Sequence, residues 1–195
     1  MDEAAWIQQA REGDVGAFGR LVRIYQTPVY NLAYRMLGDR MEAEDAAQET
    51  FLRVFQNLAR YDPERSFRTW LLSIAAHHCV DLLRRRRPML PLEEVSLGTM
   101  TNDPETALVR QEAREQVQRL LMLLSPTDRV AVTLRYWYDS SYEEIAAVLD
   151  TTVSAVKSRL HRARLALAVR LSASRPSPTR SHGETCALKE EADGV

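Results

Sequence analysis

The chain has 195 residues, 45% of them hydrophobic and 27% charged, and its 26 basic and 27 acidic side chains leave a net charge of -1. That balance is ordinary for a soluble globular protein and excludes a strongly basic chain that coats nucleic acid unaided, so any DNA binding must come from local patches or with a partner's help. Cys79 and Cys186 stand far apart with no CxxC, which argues for a reducing cytoplasm rather than a disulfide framework.

The opening MDEAAWIQQAREGD is acidic and lacks the apolar centre of a signal peptide. No run approaches the roughly 18 apolar residues of a membrane helix, so no membrane insertion is expected. Helical periodicity dominates, and the fold class is all-α. Residues 2–11 form a short first helix, and Gly13, Gly16 and Gly19 loosen the next segment. From Ala17 to Leu37 the set Phe18, Leu21, Val22, Tyr25, Val29, Leu32, Ala33 and Met36 keeps helical spacing. Pro28 is expected to kink or split this helix, and Gly38 to close it as a left-handed cap.

Asp39, with Glu42 three residues on, opens the next helix, which runs to about Leu58. Ala43, Ala47, Phe51, Val54 and Leu58 make its inner face, while Asp45, Gln48, Glu49, Leu52, Arg53 and Gln56 lie outside. An exposed leucine among acids and amides is either an ordinary surface residue or the apolar centre of a partner contact with a polar rim. Tyr61-Asp62-Pro63-Glu64-Arg65 reads as a loop. Ser66 caps a long helix to about Arg87, with Phe67, Leu71, Ile74, Ala75, His78 and Leu82 on one face. Trp70, Ser73, His77 and Arg84 align beside it, with Asp81 adjacent. Trp70 could pack in a core, but an aromatic among cations and hydrogen-bonding groups also suits single strands, whose bases stack on rings. The run Arg84 to Arg87 either complements the helix dipole or holds phosphates.

Pro88 and Pro91 stop that helix, and residues 88–102 read as a linker between two small helical domains, 1–87 and 103–172. Asp103-Pro104-Glu105 starts a helix to Leu124, and Ser125-Pro126-Thr127-Asp128 starts one ending near Tyr138. Ser141 and Glu144 have capping-box spacing ahead of Ile145, Ala146 and Leu149; Asp150, Thr151 and Thr152 turn the chain. A second helix from about Val153 carries Val156, Leu160, Ala163 and Leu167 on one arc. The opposite arc holds Ser154, Ser158, His161 and Arg162, with Lys157 and Arg164 on its shoulder. Two helices, a three-residue turn and a basic outer face form the helix-turn-helix pattern, whose second helix enters a major groove. Residues 173–195, rich in Ser, Pro, Thr and charge, read as a disordered tail.

There is no internal repeat, P-loop, GxGxxG, HExxH or nucleophile elbow, and an enzyme is the least favoured class. His77, His78, Cys79 and Asp81, and separately His182 and Cys186, hold metal-capable atoms without a zinc-site spacing. No metal and no cofactor is expected.

These segments, taken in order, resemble the bacterial RNA polymerase sigma factors of the extracytoplasmic-function (ECF) class, within the sigma-70 family. The resemblance spans about residues 13–170. It is carried by GDVGAFGRLVRIYQTPVYNLAYRMLGD, AEDAAQETFLRVF, FRTWLLSIA with Asp81 and the arginine run, and LSPTDRVAVTLRYWYDSSYEEIAAVLDTTVSAVKSRLHRAR. It implies a non-enzymatic initiation factor that binds core RNA polymerase and promoter DNA, commonly held by an anti-sigma factor. By resemblance, Asp45, Gln48, Glu49, Leu52 and Arg53 dock on the polymerase. Tyr61, Arg65, Arg68, Trp70, Ser73, His77, Arg84 and Arg85 meet the -10 element, whose flipped base the loop can hold. Ser154, Lys157, Ser158, His161 and Arg162 read the -35 element. Two elements to span account for two domains and a linker.

The chain departs from the family pattern at three places. Ala76-His77 replaces a usual Arg-Asn, Asp150 stands where glycine is common, and Ser154-Ala155 replaces a frequent Gly-Thr. Two other functions remain open from sequence. A dimeric helix-turn-helix regulator predicts palindromic sites and tight binding without polymerase. A pure protein-interaction module predicts that alanine at Lys157 and Arg162 changes nothing on DNA.

Overall fold

A computed structural model describes residues 3–86 and 104–173, and the expected linker and most of the expected tail lie outside these residues. The described residues form α1 (Glu3–Arg11), α2 (Val15–Leu37), α3 (Arg40–Asn57), a 3-10 turn (Leu58–Arg60), α4 (Phe67–Arg85), α5 (Pro104–Met122), α6 (Pro126–Trp137), α7 (Tyr142–Val148) and α8 (Val153–Ala173). No strand occurs among them.

Caps set most boundaries. The Asp14 carboxylate accepts from the amides of Gly16 and Ala17, so α2 begins after Gly13 and ahead of Gly16 and Gly19. Asp39, Ser66 and Ser125 each accept from an amide of their helix's first turn. Ser141 and Glu144 complete the reciprocal capping box. Gly38, at φ 83°, donates its amide to the Tyr34 carbonyl and closes α2, and a side chain in that left-handed conformation would be strained.

Of the two outcomes expected at Pro28, a kink or a split, the split does not occur: α2 runs through the proline. The helix continues because Tyr25, Val29, Leu32, Ala33 and Met36 beyond and beside the proline are buried on one face, and that packing outweighs one missing N–H donor. α1, α2, α3 and α4 pack together as an N-terminal block, with Leu21, Leu32, Met36, Leu58 and Leu71 fully buried. Each such side chain contributes about 1.5–3 kcal/mol of transfer free energy.

The C-terminal block, α6 to α8, is closed by Val130, Leu134, Ile145, Val148, Val156 and Leu160. Arg159 ties α8 to the first turn of α6 through a 3.2 Å ion pair with Asp128. The two blocks touch: α4 packs on α6 and α7, and α2 packs on α5 and α6. Across this seam Arg68 donates to the Tyr138 carbonyl at 2.9 Å, and the Tyr138 hydroxyl donates to the Pro28 carbonyl. Gln118 donates to the Tyr34 carbonyl, and Arg129 to the Met36 carbonyl at the end of α2. The Arg35 guanidinium lies 4.8 Å from the Trp137 ring centre. Arg129 is 5% exposed, and burial lowers its pKa to about 10. Arg129 donates hydrogen bonds to the carbonyls of Met36, Met122 and Leu124, so helix C-termini supply the negative end of the interaction.

Candidate nucleic-acid and polymerase interface

With 3.6 residues per turn, α4 divides into three faces. Phe67, Leu71, Ala75 and His78 pack into the N-terminal block; Phe67 meets Tyr25 edge-on at 5.6 Å. Arg68, Leu72, Ala76 and Cys79 form the second face, toward the C-terminal block. The third face holds Trp70, Ser73, His77, Asp81 and Arg84, half-buried or exposed.

On that third face an open cleft of about 430 Å³ lies between α3 and α4. Arg53, Asn57 and Arg60 line it from one side, and Trp70, Ser73, Ile74 and His77 from the other. The sequence stripe thus acquires an opposite wall, and Asn57 and Arg60 are the functional candidates missed by reading helices singly. Their signal was present in spacing, since Arg53, Asn57 and Arg60 recur at four and three residues on α3 and its 3-10 extension.

Hydrogen bonds aim the polar groups. Asn57 Nδ2 donates to the Arg53 carbonyl at 2.8 Å, which leaves its Oδ1 as an acceptor. His77 Nδ1 lies 2.8 Å from the Ser73 carbonyl. In the neutral ring that nitrogen must carry the proton, so Nε2 is left as an acceptor. Ser73 Oγ donates to the Trp70 carbonyl. The Trp70 ring is fixed by Tyr61 and Phe67, at 5.0 and 5.8 Å between centres.

Two residues expected at the -10 element, Tyr61 and Arg68, do not line this cleft. Tyr61 is 5% exposed, and its hydroxyl donates to the Arg65 carbonyl, so it buttresses the loop and Trp70 from within. Arg68 points into the seam, over the Tyr138 ring at 5.7 Å. Helical spacing puts it opposite Trp70 and His77. Arg65 is exposed beside Asp62, and Arg84 and Arg85 are exposed at the end of α4.

The outer face of α3 shows Asp45 and Gln48 exposed, Glu49 and Arg53 partly covered, and Leu52 57% exposed. Arg53 Nε donates to Glu49 Oε1 at 2.8 Å, which holds the Glu49 carboxyl below its ordinary range. Arg53 therefore borders both this face and the cleft. Phe55, 44% exposed and 5.0 Å from Phe18, extends the apolar centre that Leu52 marks.

On α8, Val156, Leu160 and Ala163 are buried, while Ser154, Lys157, Ser158, His161 and Arg162 are all exposed along one side. Asp150, at φ 48°, supplies the left-handed turn residue between α7 and α8. Thr152 Oγ1 accepts from the Ala155 amide and starts α8. Lys157 Nζ rests 5.7 Å from the Tyr142 ring centre, which limits where that cation can reach. The C-terminal block thus presents a helix-turn-helix whose second helix is exposed, and the N-terminal block a cleft that combines an aromatic ring, arginines and base-sized hydrogen-bonding groups.

Family comparisons fall on these two blocks. Residues 21–88 match sigma-70 region 2, and residues 114–167 match sigma-70 region 4. The ECF RNA polymerase sigma factor SigW of Bacillus subtilis (strain 168) is 37% identical over 172 residues, covering 83% of this chain and 92% of its own. The chain belongs to the ECF RNA polymerase sigma factors. Another relative, the sigma-E factor of Escherichia coli (strain K12), is 31% identical over 172 residues, with 83% of this chain and 90% of that one covered. Among solved structures, CnrH in complex with the cytosolic domain of CnrY aligns with a TM-score of 0.69 and 29% identity, over 89% of this chain and 99% of that one. As a sigma factor the protein is a non-enzymatic initiation factor that binds core RNA polymerase and promoter DNA. Among the described residues no three metal-capable side chains converge, and no helix is long and apolar enough to cross a membrane.

Proposed function

We propose that this sigma factor divides promoter recognition between its two blocks, residues 1–87 and 103–172, and that the cleft between α3 and α4 captures an unpaired base of the -10 element. The cleft carries the reading. It sets the supported Trp70 ring beside Asn57 Oδ1 and His77 Nε2, with Arg53 and Arg60 at its rim. A ring face holds any base by stacking, worth about 1–3 kcal/mol, and the two acceptors choose among bases that present an amino group. Arg84 and Arg85 follow the phosphates of the same strand. Strand separation is then driven by binding energy rather than hydrolysis, because a base is held more tightly once it is out of the stack.

The outer face of α3, centred on Leu52 and rimmed by Asp45, Gln48, Glu49 and Arg53, docks on the polymerase. Ser154, Lys157, Ser158, His161 and Arg162 of α8 read the -35 element in the major groove. The protein acts in the cytoplasm, where polymerase and promoters are. An anti-sigma factor holds it until a signal arrives; a solved relative, CnrH, is seen bound to the cytosolic domain of CnrY.

Trp70→Ala tests the cleft. Binding to closed duplex promoter stays within about twofold of the parent, while permanganate reactivity of -10 thymines in the holoenzyme complex falls. Reactivity equal to the parent removes the cleft from strand capture.

A further inference from the structure

Trp70 lines the cleft, and the groups behind its ring decide where a stacked base can sit. The ring rests on Tyr61 and Phe67, and Tyr25 of α2 meets Phe67 edge-on. Tyr61 and Phe67 also stand edge to face, at 90° and 5.3 Å between centres. Tyr25, Tyr61 and Phe67 are all buried, whereas Trp70 is half-buried. Three covered rings thus form the socket of the one that reaches the cleft. Rings packed this closely hold defined angles, so a tilt of one is passed to the next.

The socket is fastened from outside α3 and α4. The Tyr25 hydroxyl donates to Glu3 Oε1 at 2.7 Å, which ties the first turn of α1 to the middle of α2. Burial, and then the Glu3 carboxylate, push that hydroxyl above its ordinary range, so it stays a donor at neutral pH. A helix of nine residues is marginal alone, and α1 is held by its contacts. Ala10 is buried and Trp6 and Ile7 are partly buried against the core, with the Arg20 guanidinium 5.8 Å from the Trp6 ring centre. The same helix touches the 3-10 turn that ends in Arg60, on the opposite wall of the cleft. α1 therefore supports both walls, although it lies ahead of residues 21–88 that match sigma-70 region 2.

We infer that α1 is a brace for base capture: Glu3 and Tyr25 are positioning residues that set the Trp70 ring through Phe67 and Tyr61. The brace rests on the reading of the cleft as the seat of an unpaired -10 base. Stacking needs the ring and the base face to face, so a displaced Tyr25 changes capture and leaves contacts to intact duplex as they were. Removing the Glu3 carboxylate leaves a buried hydroxyl without its acceptor, whereas a glutamine amide still offers one.

Promoter opening by the holoenzyme is timed by permanganate reactivity of -10 thymines for the parent, Tyr25→Phe, Glu3→Ala and Glu3→Gln, each with Trp70 and with Trp70→Ala. Native helicity is checked by circular dichroism. The brace predicts that Tyr25→Phe and Glu3→Ala slow opening about fivefold or more, the low end of what one stacked base contributes, while initial binding to duplex promoter stays within about twofold. Glu3→Gln keeps an acceptor and recovers about half of the parent rate or more. In the Trp70→Ala background the same substitutions change opening by less than about twofold, because the ring they position is gone. Equal slowing in both backgrounds makes Glu3 and Tyr25 general packing residues and overturns the brace. Opening at the parent rate in Tyr25→Phe and Glu3→Ala overturns it too, as does Glu3→Gln as slow as Glu3→Ala; the cleft stands in all three cases. If Trp70→Ala alone opens as fast as the parent, the cleft reading falls and the brace with it. Should Tyr25→Phe lose helicity, the Glu3→Ala and Glu3→Gln pair decides by the same criteria.

Discussion

His77 makes the sharpest prediction about base choice. Its Nδ1 is 2.8 Å from the Ser73 carbonyl, which selects the neutral tautomer that leaves Nε2 as an acceptor at the cleft. A lone acceptor favours a base that offers an amino hydrogen over one that offers a carbonyl. One hydrogen bond contributes about 0.5–1.5 kcal/mol, so His77→Ala should reduce discrimination at one -10 position by about 2- to 13-fold. The same substitution leaves the Trp70 stacking surface intact, so output from the other bases at that position stays near the parent level. His77→Asn brings both a donor and an acceptor and should alter the base preferred rather than abolish preference. The assay is single-round transcription with core polymerase on templates carrying each of the four bases at each -10 position. An equal loss on all four bases at every position would refute the acceptor argument and make His77 a phosphate or packing residue.

Glu49→Lys breaks the 2.8 Å bond to Arg53 and reverses charge on the docking face, so holoenzyme assembly should weaken at least tenfold by native gel titration; unchanged assembly places the polymerase contact elsewhere. Arg162→Ala should relax discrimination at one -35 position by about 1–3 kcal/mol if the contact is bidentate to a base. A loss that is uniform over all -35 variants would instead mark a phosphate contact. His78 is buried between α3 and α4, and its pKa is held below 6.5 by desolvation and by the nearby Arg53 guanidinium. A histidine depressed in this way binds its proton more readily when unfolded. Its contribution is therefore complete above pH 6.5 and is lost as pH falls toward the folded value. His78→Leu should flatten the fall in urea midpoint below about pH 6.5, and an unchanged acid limb would mean that other groups set it.

How much of this could be read from the residues differs from place to place. Signals confined to one turn were legible: the Ser141–Glu144 box, the Gly38 cap and the buried stripe of Val156, Leu160 and Ala163 all stand where spacing puts them. Local rules failed where tertiary packing outweighed them. Three glycines hid the start of α2, which Asp14 and the burial of Ala17 and Leu21 enforce. Pro28 lies within a continuous helix because its neighbours are buried along one face. The seam was out of reach, since Arg68 and Tyr138 are 70 residues apart in the chain and Tyr138 and Pro28 are 110 apart. The stripe of Trp70, Ser73 and His77 was visible on one helix, whereas its opposing wall of Asn57 and Arg60 needed the helix pair. The bond from Arg68 to the Tyr138 carbonyl follows from helical phase together with a contact between blocks that no single segment reveals.

The central claim is that one block engages the polymerase and separated strands while the other reads intact duplex. It is tested most directly by adding purified protein to core RNA polymerase on a library of promoter templates. The account predicts a stable complex with core enzyme and transcripts from templates that carry two separated, asymmetric elements. Failure to associate with core enzyme, together with firm binding of the protein alone to a palindromic duplex, would contradict it.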